Sequence, residues 1–410
     1  MTATREFAEN KLSILHIVGS VGRLSGGLGP VALGLARQQL DAGNRVAIWT
    51  LDSPTELQTI AVENKLARSQ NCRLVGYPTV GPKRIGLSPA MEQAAISRRG
   101  EFYMILHQHN LWMANSRVTN RWRKTFERPT VIAPHGTLEK YALKRSAWKK
   151  KLATLAYESE NLCQASCLHA TSVSEALSFR RYGLRNPIAI IPNGVSETWI
   201  NSVGDANHLR SRLALTPDRR LLLFISRIHP QKGLPFLFEA MSLIRQELAD
   251  WCFVIAGPDE AGHRRELESL AQRLHLENMI KFIGPVSGDD KRDAFAAADL
   301  FILPTHSENF SIVVAEALGA GIPVITTRGA PWEELQTHDC GWWVDINVGA
   351  IKNALLEAIH RPPAELKEMG KRGKALVTDK YTWAQLAQKS IRLYDWLLGR
   401  AERPDFVVLD

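Results

Sequence analysis

The sequence predicts an α/β fold made of two doubly wound parallel sheets, and three observations indicate it. Short apolar runs typical of buried strands alternate with stretches at helical spacing along the 410-residue chain. The alternation restarts at Arg220–Ser226, after the turn Pro192-Asn193-Gly194, so the second half repeats the layout of the first. An apolar content of 45% with 23% charged residues is ordinary for globular domains and excludes disordered or low-complexity chains.

The elements of the first half follow from their patterns in chain order. Leu12–Gly19 is an apolar run that ends in glycines, so it is predicted to be a strand, and Pro30–Leu40 has the apolar spacing of a helix. The remaining predicted elements are strands at Arg45–Leu51, Phe102–His107, Thr130–Ala133, Cys167–Thr171 and Ile188–Ile191, and helices over Glu92–Arg99 and Leu138–Asn161.

The second half repeats this order and ends on a helix outside the alternation. Its predicted elements are strands at Arg220–Ser226, Cys252–Ala256, Ile280–Ile283, Leu300–Leu303 and Pro323–Thr326, and a helix over Leu237–Leu248. The last helix, Trp383–Leu398, is free to pack back on the first half. We therefore expect an N-terminal domain over 1–195, a C-terminal domain over 196–380 and a returning helix within 381–410.

Several classes of protein are excluded or disfavoured by simple features. The chain has no run of about 18 apolar residues that would cross a bilayer. Its first residues, MTATREFAENK, lack the apolar core of a secretory signal, and its five cysteines include no C-x-x-C. We therefore expect a protein of the reducing cytoplasm.

The positive charge is concentrated in the first half. Residues 1–200 hold 26 Lys and Arg against 14 Asp and Glu, whereas the rest holds 25 against 28, so the halves carry +12 and −3. The segment 117–151 contains 11 basic and two acidic residues. One face of this half therefore meets either an anionic partner or only water.

Ligands of open parallel sheets bind beyond the carboxyl ends of the strands, so the loops there carry the candidate chemistry. Gly26, Gly27 and Gly29 lie between the first strand and a helix, where glycines and the helix N-terminus admit an anion or simply form a tight turn. Their spacing is not G-x-G-x-x-G, which disfavours NAD.

The corresponding loop of the second half carries two cations. Arg227 and Lys232 can converge on adjacent phosphates, the alternative being two solvated side chains. Further on, Glu308 and Glu316 flank a predicted helix start at Asn309–Ser311, an arrangement suited to a hydroxyl-rich ligand, although isolated glutamates are more often simply exposed.

Three histidines end predicted strands of the first half. They are His107, His109 and His135, and such residues serve as hydrogen-bonding groups or as metal ligands. Neither Cys nor carboxylate accompanies them at metal spacing, and the chain contains no Asp-x-Asp. We therefore expect no metal, with phosphate charge met by Arg, Lys and backbone N–H groups.

Taken in order, these motifs resemble the family 4 glycosyltransferases, retaining enzymes of the GT-B fold. The resemblance runs from about Leu12 to Leu398. In the segments Pro134–Lys144 and Cys340-Gly-Trp-Trp, the chain is most similar to members that build bacterial surface polysaccharides. It implies two Rossmann-like domains facing across a cleft. It also implies metal-independent transfer of a sugar from a UDP- or GDP-linked donor, with no other cofactor, to a lipid-linked or polysaccharide acceptor.

The resemblance also assigns roles to residues. Catalytic roles fall to His109 beside the reacting centre and to Arg227, Lys232 and Glu308. The donor-binding set implied by the family is Gly26, Gly27, Gly29, Arg227, Lys232, Gly284, Val286, Glu308, Asn309, Phe310, Ser311 and Glu316, where Asn-Phe-Ser stands in place of the common Gly-Phe-Gly. The acceptor is expected near His135.

The predicted helix over 138–161 combines basic and aromatic residues. Lys144 and Trp148 are expected to bind the acceptor, and the segment fits a peripheral contact with the anionic inner face of the cell membrane or, alternatively, a solvated surface. A nucleic-acid partner is disfavoured because no reading module is recognisable. A soluble sugar or sugar-phosphate acceptor, and a catalytically silent scaffold, remain as alternatives.

Overall fold

The computed structural model describes residues 11–22, 27–64, 66, 70–216, 218–260 and 262–409. The chain divides into two compact units. The first comprises the chain up to Gly194 together with Trp383 onward, and the second comprises Val195–Thr382. The expected limits were 195/196 and 380/381, and the returning helix lies in the first unit.

The first unit is built on an eight-stranded sheet in the order β3-β2-β1-β4-β5-β6-β7-β14. Every described pairing is parallel except that of β14 with β7. The strands are β1 Ser13–Ile17, β2 Arg45–Thr50, β3 Cys72–Gly76, β4 Ile105–His109, β5 Thr130–Ala133, β6 Cys167–Ala170, β7 Ile188–Ile190 and β14 Val407–Val408. Since β1 and β4 are neighbours, the strand order reverses between them, which is where such sheets bind ligands.

Helices flank this sheet. They are α1 Leu28–Asp41, α2 Pro54–Glu63, α3 Pro89–Ala95, α4 Arg98–Glu101, α5 Asn115–Phe126, α6 Lys140–Lys144, α7 Ala147–Ala153, α8 Ser159–Cys163, α9 Val173–Arg181 and α19 Trp383–Leu397. The final helix α19 packs on α1, where a Cβ on Gly34 would lie 2.6 Å from the Trp383 ring. A buried apolar cluster joins α1, α19 and β1, so α19 is part of this core.

The helix expected over 138–161 is broken in the structure. Ser146 adopts a left-handed backbone with φ of 53°, which redirects the chain between α6 and α7. A π-helical turn then spans Thr154–Glu158. It directs the buried Glu158 carboxylate to the Trp112 N–H, with an N–O distance of 2.9 Å. The apolar spacing continues through both irregularities, so periodicity alone could not show them.

Other boundaries also differ from the prediction. In the second unit, the helix expected over Leu237–Leu248 spans Leu234–Leu243. The helix expected over Glu92–Arg99 is interrupted because Ser97 caps a new helix, its Oγ accepting from Arg99 N at 3.2 Å. The strand expected at Phe102–His107 instead spans Ile105–His109. His107 and His109 therefore both lie on β4.

The second unit has a six-stranded parallel sheet in the order β10-β9-β8-β11-β12-β13. Its strands are β8 Arg220–Ile225, β9 Trp251–Ala256, β10 Ile280–Gly284, β11 Leu300–Leu303, β12 Val324–Thr327 and β13 Gly341–Val344. Its helices are α10 Glu197–Asn201, α11 Ala206–Arg212, α12 Leu234–Leu243, α13 His263–Arg273, α14 Gly288–Ala297, α15 Ile312–Gly319, α16 Glu334–Thr337, α17 Val348–His360 and α18 Pro363–Lys380. The strand order again reverses at the centre, between β8 and β11.

Apolar side chains from both faces of this second sheet form one continuous core. Strand β11 is buried along its whole length, as the unbroken apolar run Leu300–Leu303 predicts for a central parallel strand. Among the described residues, no helix is both long enough and apolar enough to cross a membrane.

Candidate functional site

Two loops at the centre of the second sheet carry the two predicted cations and the first predicted carboxylate, Glu308. Strands β8 and β11 are adjacent, and the loops that leave them are 226–233 and 304–311. Gly233 has a φ of 67°, and a Cβ there would lie 1.9 Å from the Pro304 carbonyl oxygen. Only glycine therefore lets the two loops approach so closely.

Lys232 and Glu308 form an ion pair between these loops. Only 8% and 15% of their side-chain areas are exposed, so both charges are largely removed from water. Lys232 ends a 3-10 turn that the His229 ring caps by accepting from Gln231 N at 3.1 Å. A fixed, desolvated ammonium of this kind stabilises an anion far more than a solvated one does.

Arg227 lies at the other end of the same loop and pairs with a residue that the sequence did not indicate. Its Nη1 lies 3.0 and 2.9 Å from the two carboxylate oxygens of Glu260. Half of the Arg227 side chain is exposed. Glu260 follows β9, the strand beside β8, so its position beyond a strand end was the available signal.

The predicted helix start after β11 is present and tightly fixed. Helix α15 begins after Ser311, which has a left-handed φ of 66°. The Phe310 carbonyl accepts from Trp332 Nε1 at 2.6 Å, and the Phe310 ring packs against Tyr381. Asn309 Oδ1 and Ser311 Oγ are buried and have no hydrogen-bond partner among the described residues. Both side chains are thus available to a ligand.

Glu316, one turn into α15, is held by a lysine that was not predicted. Both of its carboxylate oxygens lie 2.6 Å from Lys291 Nζ on α14. That ammonium also lies 5.4 Å from the centre of the Trp199 ring, and Trp199 Nε1 donates to the Glu316 carbonyl at 3.0 Å. The Glu316 carboxylate is therefore oriented before any ligand arrives.

The expected donor-binding residues Gly284 and Val286 lie at the end of β10 and in the segment that follows it. Gly284 has a φ of 76°, and its carbonyl accepts from Gly257 N at 2.8 Å, which ties the ends of β9 and β10 together. Val286 is half-buried against the core of this unit. The structure thus places Gly284 at the carboxyl end of β10 and Val286 just beyond it.

The glycine loop of the first unit is only partly described. Gly26 lies outside the described residues. Gly27 is exposed at the N-cap of α1, with no atom of the described residues within 4 Å of a Cβ built on it, and Gly29 is buried in the first turn. Open space at a helix N-terminus suits close approach of an anion.

Five histidines meet at the centre of the first sheet, of which the sequence indicated three. His107 and His109 lie on β4, His16 lies on β1 opposite His107, and His169 lies on β6. His109 uses both ring nitrogens: Nε2 lies 2.9 Å from His16 Nδ1, and Nδ1 lies 3.0 Å from His135 Nε2. Alternation along β1 could have indicated His16, but only strand pairing shows the cluster.

Burial sets the protonation of this cluster. It lowers the pKa of His16 to about 4, and it lowers the pKa of His135 to about 3, an effect that the nearby His169 reinforces. The pKa values of His107 and His109 are also lowered well below the ordinary histidine value, by burial and by the neighbouring imidazoles. The rings are therefore neutral at physiological pH.

Ring nitrogens of His16, His107 and His109 lie within 4.8 Å of one another, the spacing of a possible metal site. The nitrogens are engaged in hydrogen bonds to other described side chains. Imidazoles that donate to and accept from one another are satisfied without an ion.

No contact among the described residues joins the three residues predicted for the acceptor. Lys144 lines a cavity of about 510 Å³, Trp148 lies on an exposed face, and His135 belongs to the histidine cluster. The other lining residues of the cavity are Leu138, Lys140, Leu143, Ala147, Ser178, Arg181 and Tyr182. The cavity thus combines an apolar floor with three cations.

His135 itself is held by a buried carboxylate. Both His135 and Gly136 have left-handed backbones, with φ of 52° and 77°. Glu175 Oε1 accepts from Gly136 N at 2.6 Å, while its Oε2 accepts from Thr171 N at 2.7 Å. Glu175 therefore fixes the turn that carries His135, a role that the sequence did not reveal.

Comparison with known proteins identifies the family. A model described as "Glycosyl transferase 4-like domain" matches residues 26–194, and one described as "Glycosyl transferases group 1" matches residues 205–376. Together the two matches cover more than half of the chain.

Curated relatives include a D-inositol 3-phosphate glycosyltransferase of Streptomyces bingchenggensis, 27% identical over 72% of this chain and 67% of that protein. An uncharacterized glycosyltransferase of Methanocaldococcus jannaschii is 29% identical over 50% of this chain and 53% of its own length. The chain thus spans between about half and two thirds of these relatives.

Solved structures share the fold. The sucrose-phosphate synthase of Thermosynechococcus elongatus superposes with a TM-score of 0.73 at 21% identity, covering 95% of this chain and 100% of that one. Anabaena HepE, in complex with UDP and glucose, gives 0.73 at 20% identity over 92% and 98%. The two parallel-sheet units and the two family matches agree: the chain belongs to the family 4 glycosyltransferases and has the GT-B fold.

Proposed function

We propose that this glycosyltransferase moves a sugar, with retention of configuration and without a metal or further cofactor, from a UDP- or GDP-linked donor to a lipid-linked or polysaccharide acceptor. The first unit would bind the acceptor and the second the donor. The single observation that carries the donor half is the desolvated Lys232–Glu308 ion pair at the sheet centre. It brings a fixed cation and a hydroxyl-binding carboxylate to one place.

The donor fits the charges of the second unit. A diphosphate attracts Lys232 and Arg227, each of which already has a carboxylate partner, so binding exchanges these contacts rather than creating charge in a dry site. The sugar hydroxyls would then donate to Glu308, and the ribose hydroxyls to Glu316. The HepE structure holds UDP and glucose on the same fold, which supports this donor class.

The orphaned oxygens after β11 add a further preference. Asn309 Oδ1 and Ser311 Oγ are buried without a partner among the described residues, which costs about 1–3 kcal/mol each unless a donor arrives. A hydroxyl-bearing sugar supplies such donors. These two side chains therefore favour a sugar over an apolar ligand.

The chemistry follows from these charges. The acceptor hydroxyl attacks from the face that the diphosphate leaves, and the departing phosphate oxygen takes its proton, so no protein nucleophile is needed. Catalysis is then charge stabilisation of the leaving group and of the oxocarbenium-like sugar. Lys232 and Arg227 stabilise the former and Glu308 the latter.

A lipid-linked acceptor is supported by the surface of α7 and the π-helical turn. Trp148, Leu152 and Leu155 are exposed by 66%, 58% and 77%, at spacings of four and three residues that place them on one face. The lysines 149–151 lie between them. Exposed apolar anchors among cations fit an anionic membrane surface, and we place the enzyme at the cytoplasmic face of the cell membrane.

A soluble phosphorylated acceptor is the second candidate. The named relatives include an inositol 3-phosphate glycosyltransferase and a sucrose-phosphate synthase. The cavity lined by Lys140, Lys144 and Arg181 offers three cations to such a phosphate. The same cavity also fits the phosphate of a lipid carrier, so the experiment must separate the two sources.

The test follows a labelled sugar. The full chain is incubated with UDP-[14C]glucose or GDP-[14C]mannose, with EDTA present, and with either a bacterial lipid extract or soluble sugar phosphates. Label entering the organic phase supports the lipid-linked acceptor, and label on the soluble compound supports the second candidate. If Lys232→Ala transfers the labelled sugar as fast as the unsubstituted protein, the result contradicts the proposed donor site.

Membrane contact is tested with vesicles containing phosphatidylglycerol. We expect sedimentation with the vesicles at low salt, less binding as salt rises, and loss of binding in Trp148→Ser/Leu155→Ser. Leu243→Ser is the matched control, because that leucine is 65% exposed on the second unit. Binding that salt does not weaken, or no binding at all, contradicts the electrostatic contact.

A further inference from the structure

The histidine cluster of the first unit is one hydrogen-bonded chain, and its donors and acceptors can be worked out. His169 Nε2 lies 2.7 Å from the Ile191 carbonyl oxygen, which can only accept. Neutral His169 therefore carries its proton on Nε2 and has a lone pair on Nδ1. His107 Nε2, 3.2 Å away, must donate to that lone pair.

The same reasoning passes through the C-terminal helix. With its proton on Nε2, His107 has a lone pair on Nδ1, and the Tyr394 hydroxyl 2.7 Å away must donate to it. Tyr394 has no second proton, so it accepts from Gln39 Nε2 at 3.2 Å. Ser390 donates to the Ala387 carbonyl at 2.7 Å, so it too accepts from Gln39 Nε2, at 2.9 Å.

Two independent acceptors thus fix the orientation of the Gln39 amide. Its oxygen must face His16, whose Nε2 lies 2.7 Å from Oε1 and therefore donates. His16 Nδ1 is then an acceptor for His109 Nε2 at 2.9 Å, and His109 Nδ1 is an acceptor for His135 Nε2 at 3.0 Å. Each imidazole is the neutral Nε2–H tautomer.

We propose that this relay, from His135 through His109, His16, Gln39, Tyr394, His107 and His169 to the Ile191 carbonyl, positions His135 Nδ1 as an obligate hydrogen-bond acceptor for the hydroxyl of the acceptor substrate. His109 has no nitrogen left for substrate while the relay is intact, whereas no described residue bonds to His135 Nδ1. The role at the substrate rests on the proposed function, but the relay does not.

The relay acts by orientation and takes no proton. Burial and the neighbouring imidazoles lower the pKa values of its histidines, so His135 accepts a hydrogen bond while the attacking hydroxyl keeps its proton for the departing phosphate. His16, Gln39, Tyr394, His107 and His169 are positioning residues. They lie on β1, α1, α19, β4 and β6 respectively. The relay therefore requires the returning helix α19 to pack in the same core as α1 and β1.

The first test reads the tautomers directly. Two-bond 1H–15N spectra of the full chain labelled with [15N]histidine, assigned by single His→Gln variants, report the proton position on each of the 12 histidines. We expect His16, His107, His109, His135 and His169 to be neutral and Nε2–H at pH 7. An Nδ1–H or charged His135, or stoichiometric shifts of His16, His107 and His109 on addition of Zn²⁺, overturns the relay.

The second test reverses part of the relay. In Ser390→Ala/Tyr394→Phe the Gln39 amide N–H group loses both acceptors. It regains one only by flipping, which exchanges the hydrogen bond that His16 Nε2 donates to Oε1 for one that His16 Nε2 accepts from Gln39 Nε2. Because the two orientations of the amide make equal numbers of hydrogen bonds, we expect Nδ1–H to appear at His16, His109 and His135 together and in equal proportion. His169, still bonded to Ile191, keeps Nε2–H and serves as the internal reference. Ser390→Ala alone leaves Tyr394 as an acceptor and should change nothing. Nδ1–H at one or two of these three histidines without the others overturns the relay.

Nucleotide binding and sugar transfer are measured separately from the tautomers. The double variant should retain the thermal shift given by UDP, because the proposed nucleotide contacts lie in the second unit. Its rate of sugar transfer should fall to about the fraction of molecules in which His135 keeps Nε2–H, because the Nδ1–H form cannot accept the substrate hydrogen bond, which is worth about tenfold in rate. Wild-type transfer rates in a variant with switched tautomers refute the positioning role. If the wild-type protein shows the expected tautomers but transfers no sugar to any tested compound, the relay is supported and the proposed function is refuted.

Discussion

The buried histidines predict that this protein loses stability in mild acid. Burial lowers the pKa values of His16 and His169 to about 4 and that of His135 to about 3. The hydrogen bonds of His16 to Gln39 and of His169 to the Ile191 carbonyl oppose this lowering. In the unfolded chain these groups titrate near pH 6.5. Between about pH 6.5 and pH 4 the unfolded state therefore binds more protons, and stability falls as the pH falls.

The size of the effect follows from the number of groups. Each fully shifted histidine contributes about 1.4 kcal/mol per pH unit within the window, so His16, His135 and His169 together contribute about 3–4 kcal/mol between pH 6 and pH 5. His107 and His109 act in the same direction. A typical total stability is about 5–15 kcal/mol, so the loss is a large fraction of it.

Urea unfolding followed by circular dichroism at pH 7, 6 and 5 measures this loss. His169→Gln, whose amide can still donate to Ile191, should remove about 1 kcal/mol of the difference between pH 6 and pH 5. His360→Gln, at an exposed position of the second unit, is the control and should leave the difference unchanged. A free energy of unfolding that stays constant or rises from pH 6 to pH 5 refutes the reasoning.

Two further predictions concern the second unit. Arg227→Ala or Lys232→Ala should lower donor-sugar turnover by about 10²–10³, the loss of one fixed electrostatic donor, and near-normal turnover in both variants would contradict their assignment. Gly233→Ala should lower the free energy of unfolding by more than about 2 kcal/mol in urea, because its Cβ meets the Pro304 oxygen. Gly262→Ala, with a φ of 76° and no atom of the described residues within 4 Å of the added Cβ, isolates the backbone cost of about 1–2 kcal/mol, and equal losses in the two variants would rule out the clash.

The central strands and the strand-end loops could be predicted because their signal is local. Thr130–Ala133 and Leu300–Leu303 are β5 and β11 residue for residue, since a central parallel strand is an unbroken apolar run. The edge strand Cys72–Gly76 was not predicted, because an exposed arginine interrupts its apolar pattern. The positions of Arg227 and Lys232 on the loop after β8 could be predicted because ligand-binding residues of such sheets lie beyond strand ends.

The partners of those residues could not be predicted, because they depend on which elements are neighbours in space. Glu260 lies 33 residues from Arg227, and Lys291 lies 25 residues from Glu316. The sequence does not state which strands and helices become neighbours, so it could not pair these residues. The relay needs contacts between residues 39 and 394, 355 positions apart. The π-helical turn at Thr154–Glu158 keeps an ordinary helical sequence pattern, so only the structure shows it.

Thermal unfolding with nucleotides tests the donor site most directly. UDP, GDP, ADP and CMP are added in turn at millimolar concentration, and a ligand at 100 times its Kd stabilises by roughly 2.7 kcal/mol, a Tm shift of a few degrees. We expect UDP or GDP to raise the Tm, Arg227→Ala to abolish the rise, and Arg245→Ala, at an exposed position of the same unit, to retain it. No rise with any of the four nucleotides would contradict a working nucleotide-sugar site in this protein.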